Sequence, residues 1–285
     1  TRSAAGSGGA QGAGTVFLVP PAVEKLTPQG TCFRSNEYQF PVIYICIPAH
    51  NEAQTIGVLL WKLRRVMEQF PREYHVLVLD DGSTDDTSDV IEPYTQVLPC
   101  TLLREKHSRG YAAATERLLR EAARRSEQPR RDVVVVMQAD FSDSPDDLPA
   151  LVKRIEGGAD LVAGVRAGSM GEEPRLVRWA KRGMPWLLRG VALPKGVTNP
   201  LSGFRAYRVS TLDRTLSGQG ERPLLTFPGK GANLELLLAV APHARRVEAT
   251  ELPSRPNLRQ RATRSTPWEM LKELWSLRRL PHHTA

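Results

Sequence analysis

The chain has 285 residues, of which 41% are hydrophobic and 25% are charged, ordinary values for a globular protein with one large domain or two small ones. It contains no run of about 18 apolar residues and opens with no signal-peptide pattern, so we predict neither a membrane-spanning helix nor a secretory leader. Three cysteines without metal-ligand spacing argue against a disulfide framework or a structural zinc site and favour a cytoplasmic location. The net charge of +8 indicates an anionic partner.

The chain changes character at about residue 41. Residues 1–40 begin with a Gly/Ala/Ser-rich stretch and show little periodicity, which predicts a flexible tail and lead-in. After them, strands that are apolar throughout alternate with amphipathic helices. This pattern is typical of a mostly parallel sheet with helices on both faces, an α/β fold. The predicted strands are 42–48, 74–80, 97–104, 132–140 and 160–165. Helical patterns run through Leu59, Leu60, Leu63 and Val66, from the Asp85–Thr87 region onward, over 110–125 and near 147–156.

Charged and small residues follow the predicted strands at the points where they end. Ligands bind to such sheets at the carboxyl ends of the strands, so these residues mark a candidate site. DDGSTDDT (80–87) is consistent with a turn and helix cap, but two adjacent carboxylates at a strand end also suit recognition of a nucleobase N–H. Arg109-Gly110 opens a helix, where free N–H groups suit an anion. Asp140 is a candidate ligand for a divalent metal that also contacts substrate phosphates.

Six motifs occur in a fixed order: IPAHNEAQTIG, VLDDGSTDDT, REKHSRGYAAA, MQADFSDSP, AGVR and NPLSGFRAYR. Together they resemble family 2 glycosyltransferases of the GT-A fold, a Rossmann-like arrangement, and most closely the dolichyl- or polyprenyl-phosphate mannosyltransferases and their glucosyl relatives. The resemblance covers about residues 41–255, which we therefore expect to form one glycosyltransferase domain.

The resemblance implies a role for individual positions. Asp80 matches the acid that reads the base, Asp140 the second acid of the DxD metal site, and Arg205 the arginine of SGFR near the acceptor phosphate. The residues implied in donor binding are Pro48, His50, Glu52, Asp80, Asp81, Arg109, Gly110, Gln138 and Asp140. The residues implied in acceptor binding are Arg166, Arg178, Arg182, Ser202 and Arg205. Asp140, Arg166 and Arg205 are the candidate catalytic residues, and Asp140 with Gln138 would hold Mg²⁺ or Mn²⁺.

Two positions depart from the family pattern. Gln138 replaces the first aspartate of DxD, and Asn199 replaces the aspartate that usually precedes proline in the SGFR block. Hard divalent cations gain affinity from carboxylates, so we expect metal to bind weakly until donor phosphates complete its coordination.

The last 30 residues, 256–285, are predicted to form a basic extension with an amphipathic helix. STPWEMLKELWSLRRL (265–280) places Trp268 and Trp275 on one helical face with arginines nearby. Interfacial membrane helices have this pattern, and so do terminal helices that pack on a core. Two interpretations therefore remain open: a terminal helix that packs on the core, or a helix that places the protein peripherally on the inner face of the membrane.

The predicted activity is transfer of a sugar with inversion from a nucleotide-sugar, GDP-mannose first and UDP-glucose second, to a polyprenyl phosphate. The acceptor phosphate is already an anion at neutral pH, so the protein mainly positions two anionic reactants with cations. Arginine suits this role because its guanidinium binds phosphate in a bidentate manner.

Two alternatives remain open at the level of sequence. One is a soluble family 2 enzyme with a hydroxyl acceptor, for which Asp143 or Glu172 would be the general base. The other is a catalytically silent nucleotide-sugar binding module, suggested by Gln138 and Asn199. A nucleic-acid partner is not expected, because aromatic residues do not alternate with the basic ones.

Overall fold

The computed structural model describes residues 41–166, 193–194, 196–197, 199–220 and 222–253. Within these ranges the chain forms one sheet and helices that pack on it. The strands are β1 (Ile43–Ala49), β2 (Tyr74–Asp81), β3 (Cys100–Glu105), β4 (Val133–Val136), β5 (Leu161–Arg166), β6 (Arg205–Arg208) and β7 (Val247–Leu252). The helices are α1 (Ala53–Gln69), α2 (Thr87–Ile91), α3 (Tyr111–Arg125), α4 (Leu148–Glu156), α5 (Val209–Gln219) and α6 (Gly231–Val240). The predicted tail at 1–40 and extension at 256–285 lie outside the described residues.

The sheet has the strand order β3-β2-β1-β4-β6-β5-β7. Strands β1 to β4 pair in parallel, β5 pairs in parallel with β7, and β6 is antiparallel to both β4 and β5. Six strands therefore point the same way and β6 points the other way. The prediction of a mostly parallel α/β sheet is confirmed. Because β6 is reversed, the residues that precede it lie at the same edge as the residues that follow β4.

Side chains alternate between two apolar layers, one on each face of the sheet. In β1, Ile45 packs in the layer beneath α1 and α4, whereas Cys46 packs in the layer beneath α3, α5 and α6. Residues from both layers are almost completely buried, which explains why the strands are apolar throughout. Among the described helices, none is both long and apolar enough to cross a bilayer.

Two strands are shorter than their predicted bounds. β3 begins at Cys100 rather than at 97, because residues 92–96 form a 3-10 turn and the Leu98 N–H returns to the carbonyl of Tyr94. β4 ends at Val136 rather than at 140, since its partner β6 begins at Arg205, opposite Val136. The chain then turns sharply, with φ of 59° at Phe141. The acidic residues of this segment therefore lie on a loop and not on the strand.

Candidate active site at the carboxyl edge of the sheet

Asn51 joins the loop after β1 to the loop after β2. Its Oδ1 accepts hydrogen bonds from the main-chain N–H groups of Thr84 at 2.7 Å and Asp85 at 3.3 Å, and its own N–H donates to Ser83 Oγ at 2.8 Å. Its φ is 54°, a left-handed conformation that asparagine tolerates better than most residues. From the sequence Asn51 is only a candidate helix cap, whereas here it holds two loops together as one side of the site.

His50 lies exposed at this edge in a defined tautomer. Its Nδ1 is 2.8 Å from the carbonyl oxygen of Asp81, which can only accept, so Nδ1 carries the proton. Nε2 then accepts a hydrogen bond from Asn51 Nδ2 at 3.2 Å. The imidazole is therefore held in place at an exposed position of this edge.

Glu52 and Pro48 flank His50 and make contacts that hold its loop between β1 and α1. The Glu52 N–H donates to Thr87 Oγ1 at 2.8 Å, and its carboxylate accepts from Thr55 Oγ1 at 2.8 Å, at the start of α1. Pro48 is buried in β1 opposite Leu79, beyond the last pair between β1 and β4, so its missing N–H interrupts no ladder there. Both residues shape the loop that carries His50.

Asp80 is the acid at the end of β2, and its side chain is 5% exposed. One carboxylate oxygen accepts from the Ser83 N–H at 3.0 Å, and the other accepts from the Ser88 hydroxyl. A carboxylate has about four lone-pair sites, so these contacts leave acceptor capacity for the N–H of a base. The position is consistent with the predicted role in donor binding.

Asp81 has a different environment from Asp80, although the two are adjacent. It is 3% exposed, and its carboxylate accepts from Ser108 Oγ at 2.7 Å, the Arg109 N–H at 2.8 Å and the Gly110 N–H at 2.9 Å. The sequence predicts that the N–H groups of Arg109 and Gly110 are free for a diphosphate. That prediction is wrong for these two groups, because the Asp81 carboxylate already occupies them.

The Arg109 side chain itself extends away from this contact. It is 67% exposed and lies 4.0 Å from Glu105, a distance at which the ion pair contributes little. Its guanidinium can therefore contribute positive charge near the α3 N-terminus even though its N–H group is used internally.

The loop after β4 carries the candidate metal ligands. Asp140 Oδ1 accepts from the Ser142 N–H at 2.8 Å, and Asp143 Oδ2 accepts from the Gln138 N–H at 3.0 Å. Gln138 Nε2 donates to the Tyr111 hydroxyl at 2.7 Å. The Gln138 amide therefore uses its nitrogen within the protein, and its oxygen is the atom available to a cation.

Asp140 and Gln138 can supply only some of the ligands that a divalent cation requires. Within the described ranges there is no group of three or more His, Cys, Asp or Glu side chains arranged to hold an ion. Asp140 supplies one carboxylate and Gln138 one amide oxygen, whereas Mg²⁺ takes six ligands, with waters and substrate phosphates among them. The donor set thus fits a divalent cation that arrives with a nucleotide diphosphate.

Tyr111 and Asn233 are polar residues of the site that the sequence reasoning missed. The Tyr111 hydroxyl donates to Asn233 Oδ1 at 2.8 Å, and burial raises the pKa of Tyr111 to about 12. Asn233 is a lone buried amide in the apolar helix GANLELLLAV. A buried amide in such a helix requires partners, and this was the signal that could have identified it.

Arg205 does not have the position that its predicted role requires. Its side chain is 0% exposed, and its guanidinium donates to the carbonyl oxygens of Asn233 and Pro200. The proposed grip on an acceptor phosphate, and with it a catalytic role, is corrected here, because β6 buries this side chain between the sheet and α6. Ser202 lies on the loop before β6 and is half-buried, with its N–H donating to the Asn199 carbonyl.

Three other predicted acceptor residues lie wholly or partly outside the described residues. Arg178 and Arg182 lie outside the described residues. Arg166 ends β5 at this edge of the sheet, and its side chain also lies outside the described part.

Curated relatives match about three fifths of the chain. An undecaprenyl-phosphate 4-deoxy-4-formamido-L-arabinose transferase of Pseudomonas syringae is 28% identical over 186 residues, 63% of this chain and 51% of the relative. A dolichol-phosphate mannosyltransferase of Pyrococcus furiosus is 27% identical over 176 residues, 60% of this chain and 47% of the relative. The chain thus spans about half the length of the curated relatives it matches.

Solved structures share the same fold. A crystal structure of Mycobacterium tuberculosis glucosyl-3-phosphoglycerate synthase has a TM-score of 0.55 and 23% identity, and covers 84% of this chain and 76% of that one. That crystal contains Mn²⁺, uridine diphosphate and glucosyl-3-phosphoglycerate. Another structure of this enzyme has a TM-score of 0.56 and 22% identity, with 84% of this chain and 77% of that chain covered. At this identity the likeness establishes the GT-A fold.

A family model covers the part of the chain from β1 through β6 into α5. The model described as Glycosyl transferase family 2 matches residues 44–216, which is more than half of the chain. The matched range begins in β1 and includes the loops that carry His50, Asp80, Asp140 and Ser202. The chain therefore belongs to glycosyl transferase family 2.

Proposed function

We propose that this chain transfers a sugar, with inversion, from a nucleotide-sugar donor to a polyprenyl phosphate. GDP-mannose is our first candidate for the donor and UDP-glucose our second. The observation that carries the proposal is that Asp80, Asp140 and the exposed Arg109 all lie at or after the carboxyl ends of parallel strands, on one edge of the sheet of a family 2 glycosyltransferase. The acceptor class is supported by the relatives named as undecaprenyl-phosphate and dolichol-phosphate transferases.

The donor would lie across the loops after β1, β2 and β4. Asp80 accepts an N–H of the base, and the exposed ring of His50 packs against the nucleoside. Arg109 offsets part of the diphosphate charge, which matters most where water is excluded. Asp140 and the Gln138 oxygen would hold a divalent cation, Mg²⁺ or Mn²⁺, which when bound supplies further charge neutralisation at the leaving diphosphate.

The transfer step needs no general base in this proposal. An oxygen of the acceptor phosphate attacks the anomeric carbon, the bond from that carbon to the donor phosphate oxygen breaks, and the nucleoside diphosphate leaves with the electron pair. The protein must bring the two anions together, and cationic side chains suit this task. Arg166, Arg178 and Arg182, with Ser202, are the candidates for holding the acceptor phosphate.

A lipid acceptor also implies contact with a membrane surface. The predicted amphipathic helix at 265–280 is our candidate for that peripheral contact, because its tryptophans and arginines suit the interface between lipid and water.

Radiolabelled donors test this function directly. The full chain is incubated with labelled GDP-mannose or UDP-glucose, Mn²⁺ or Mg²⁺, and polyprenyl phosphate in detergent micelles or liposomes. We expect label to enter the lipid phase only when the lipid phosphate is present. The same reaction with a soluble phosphorylated acceptor, 3-phosphoglycerate, is the comparison. Transfer to 3-phosphoglycerate alone, or binding of donor with no transfer to lipid, would contradict the proposal.

A further inference from the structure

A chain of hydrogen bonds crosses the site from the loop after β4 to the loop before β6. Gln138 Nε2 donates to the Tyr111 hydroxyl at 2.7 Å, and that hydroxyl donates to Asn233 Oδ1 at 2.8 Å. Asn233 Nδ2 then donates to the carbonyl oxygen of Leu201 at 3.1 Å. We call these four residues the amide chain. Its first member lies beside the candidate metal ligand Asp140, and its last lies beside Ser202.

The direction of every bond in the amide chain follows from its last member. A main-chain carbonyl can only accept, so Asn233 must turn its nitrogen toward Leu201 and its oxygen toward Tyr111. The Tyr111 hydroxyl must then donate to Asn233, which leaves its oxygen to accept from Gln138. The Gln138 amide is therefore fixed with its nitrogen toward Tyr111 and its oxygen Oε1 on the opposite side.

Gly203 packs directly against the amide chain. A Cβ atom at this position would lie 2.8 Å from Gln138 Nε2, 3.0 Å from the Tyr111 hydroxyl and 3.1 Å from Asn233 Nδ2. No side chain fits there without moving these atoms. The glycine therefore allows the loop before β6 to approach the end of β4 closely.

Arg205 supports the amide chain from beneath. Its Nη1 donates to the main-chain carbonyl of Asn233, and its Nη2 donates to the carbonyl of Pro200 at 2.6 Å. The same buried guanidinium thus contacts both the helix that carries Asn233 and the loop before β6 that carries Leu201. This contact gives Arg205 a defined structural role in place of the corrected one.

We propose that Tyr111 and Asn233 are positioning residues that aim the Gln138 oxygen at the donor side and tie it to the acceptor loop at 199–204. This inference rests on the proposed function for its donor and acceptor sides. It also accounts for glutamine at the DxD position: an aspartate there would carry only acceptor oxygens and could not donate to Tyr111. With glutamine at position 138, the protein has one negative charge fewer near the cation. In exchange, it has a hydrogen-bonded link between the donor side of the site and the acceptor loop.

Tyr111→Phe is the direct test, with Tyr44→Phe as the matched control. The Tyr44 hydroxyl also donates to a main-chain carbonyl, that of Arg125 at 2.9 Å, but at the opposite edge of the sheet. We expect Tyr111→Phe to lower kcat at saturating donor by about tenfold or more, because a buried amide loses its partner. We expect the Mn²⁺ concentration for half-maximal nucleotide binding to rise, and Tyr44→Phe to stay within about twofold of wild type.

Hydrogen exchange provides a measurement that requires neither metal nor turnover. In the metal-free protein, main-chain amides at 201–204 should exchange faster in Tyr111→Phe than in Tyr44→Phe, because the link to the loop is cut. If kcat or the exchange rate of Tyr111→Phe matches that of Tyr44→Phe, the positioning role is overturned.

Gln138→Glu distinguishes two effects on kcat: loss of the hydrogen bond to Tyr111 and gain of a negative charge near Mn²⁺. This change keeps the side-chain length, adds a negative charge for Mn²⁺ and removes the donor to Tyr111. The amide chain predicts a lower kcat even where Mn²⁺ binds more tightly, and a kcat at or above wild type would overturn it. A wild-type chain that binds Mn²⁺ and nucleotide but transfers no sugar would contradict the proposed function instead. The amide chain is then judged by the exchange and Mn²⁺-binding measurements alone.

Discussion

The Asp81 carboxylate accepts a hydrogen bond from the main-chain N–H of Gly110 at 2.9 Å, so the chain provides its own anion at the start of α3. The neighbouring Arg109 N–H donates to the same carboxylate at 2.8 Å. The positive end of the helix dipole stabilises a negative charge in this position. Asp81 thereby fixes the loop after β3, which carries the exposed Arg109 side chain.

Asp81→Asn should destabilise the fold and loosen this loop. The amide has a similar shape, but it lacks the charge, and its NH₂ group would face an N–H donor. We expect the free energy of unfolding to fall by about 1–3 kcal/mol, measured by denaturant titration. Glu92→Gln is the control, because Glu92 pairs with Arg104 at an exposed position. Equal stability of the two variants would contradict the role given to Asp81.

Asp80→Ala should abolish detectable nucleotide binding, because a base N–H would lose its carboxylate partner. Ser88→Ala is the matched control: it removes the hydroxyl that donates to Asp80 but leaves the carboxylate available to a ligand. Calorimetric titration of both variants with the nucleoside diphosphates makes the comparison. If Asp80→Ala and Ser88→Ala bind nucleotide equally well, Asp80 does not recognise the base.

Asp140→Ala should eliminate metal-dependent transfer while leaving the fold intact, because Asp140 is half-buried and bonds only locally to Ser142 in the contacts described above. Asp146→Ala removes a nearby carboxylate that pairs with Lys62 at 2.7 Å and serves as the control. Activity is compared with and without EDTA. Full activity of wild type in EDTA would show that the reaction proceeds without the cation.

Arg205→Lys should lower stability rather than weaken acceptor binding. Lysine cannot donate to the carbonyls of Asn233 and Pro200 with the geometry of a guanidinium. Hydrogen bonds to charged groups contribute about 1.5–3 kcal/mol each, so we expect a clear fall in melting temperature. The acceptor KM of the remaining folded enzyme should change little. A raised KM at unchanged melting temperature would restore Arg205 as an acceptor ligand.

His75 lies at the amino edge of the sheet and makes stability depend on pH. Its Nε2 lies 3.1 Å from Arg125 Nη1 and 2.8 Å from Thr101 Oγ1, and arginine can only donate, so the imidazole is neutral. Burial lowers the pKa of His75, and the charge of Arg125 lowers it further, while Glu121 opposes the shift.

Because the folded-state pKa of His75 is below the unfolded value of about 6.5, the unfolded chain binds the proton more readily. Stability from this group is therefore complete above about pH 6.5 and falls as the pH decreases below it. We expect His75→Gln to reduce the loss of melting temperature between about pH 7 and about pH 5. His243→Gln, at an exposed turn, is the control. Parallel pH profiles of His75→Gln and wild type would refute this account.

The parallel part of the sheet could be predicted from sequence because its strands are continuous apolar runs separated by amphipathic helices. β6 could not be predicted in the same way. It has only four residues, RAYR, two of them arginines, and its direction depends on pairing with β4 far away in the chain. The buried position of Arg205 follows from that pairing, which explains why its charge suggested a ligand contact instead.

The acids of the site were predictable as a group, but not their individual partners. A parallel sheet brings strand ends together, so Asp80, Asp81 and Asp140 were expected at one edge. Whether a carboxylate faces a ligand or the protein depends on main-chain N–H groups from other loops. For Asp81 these come from Arg109 and Gly110, and no local pattern reveals such a contact.

The reversed strand β6 also has a consequence for how the protein folds during synthesis. The strands β3-β2-β1-β4 are complete once residue 136 has been made, but β6 begins only at Arg205. Until then β4 forms an open sheet edge of four consecutive valines, with no neighbour on one side. Apolar edge strands readily pair with other chains. Fragments that end between β5 and β6 should therefore aggregate, whereas extension through β7 covers the valine edge and should restore solubility.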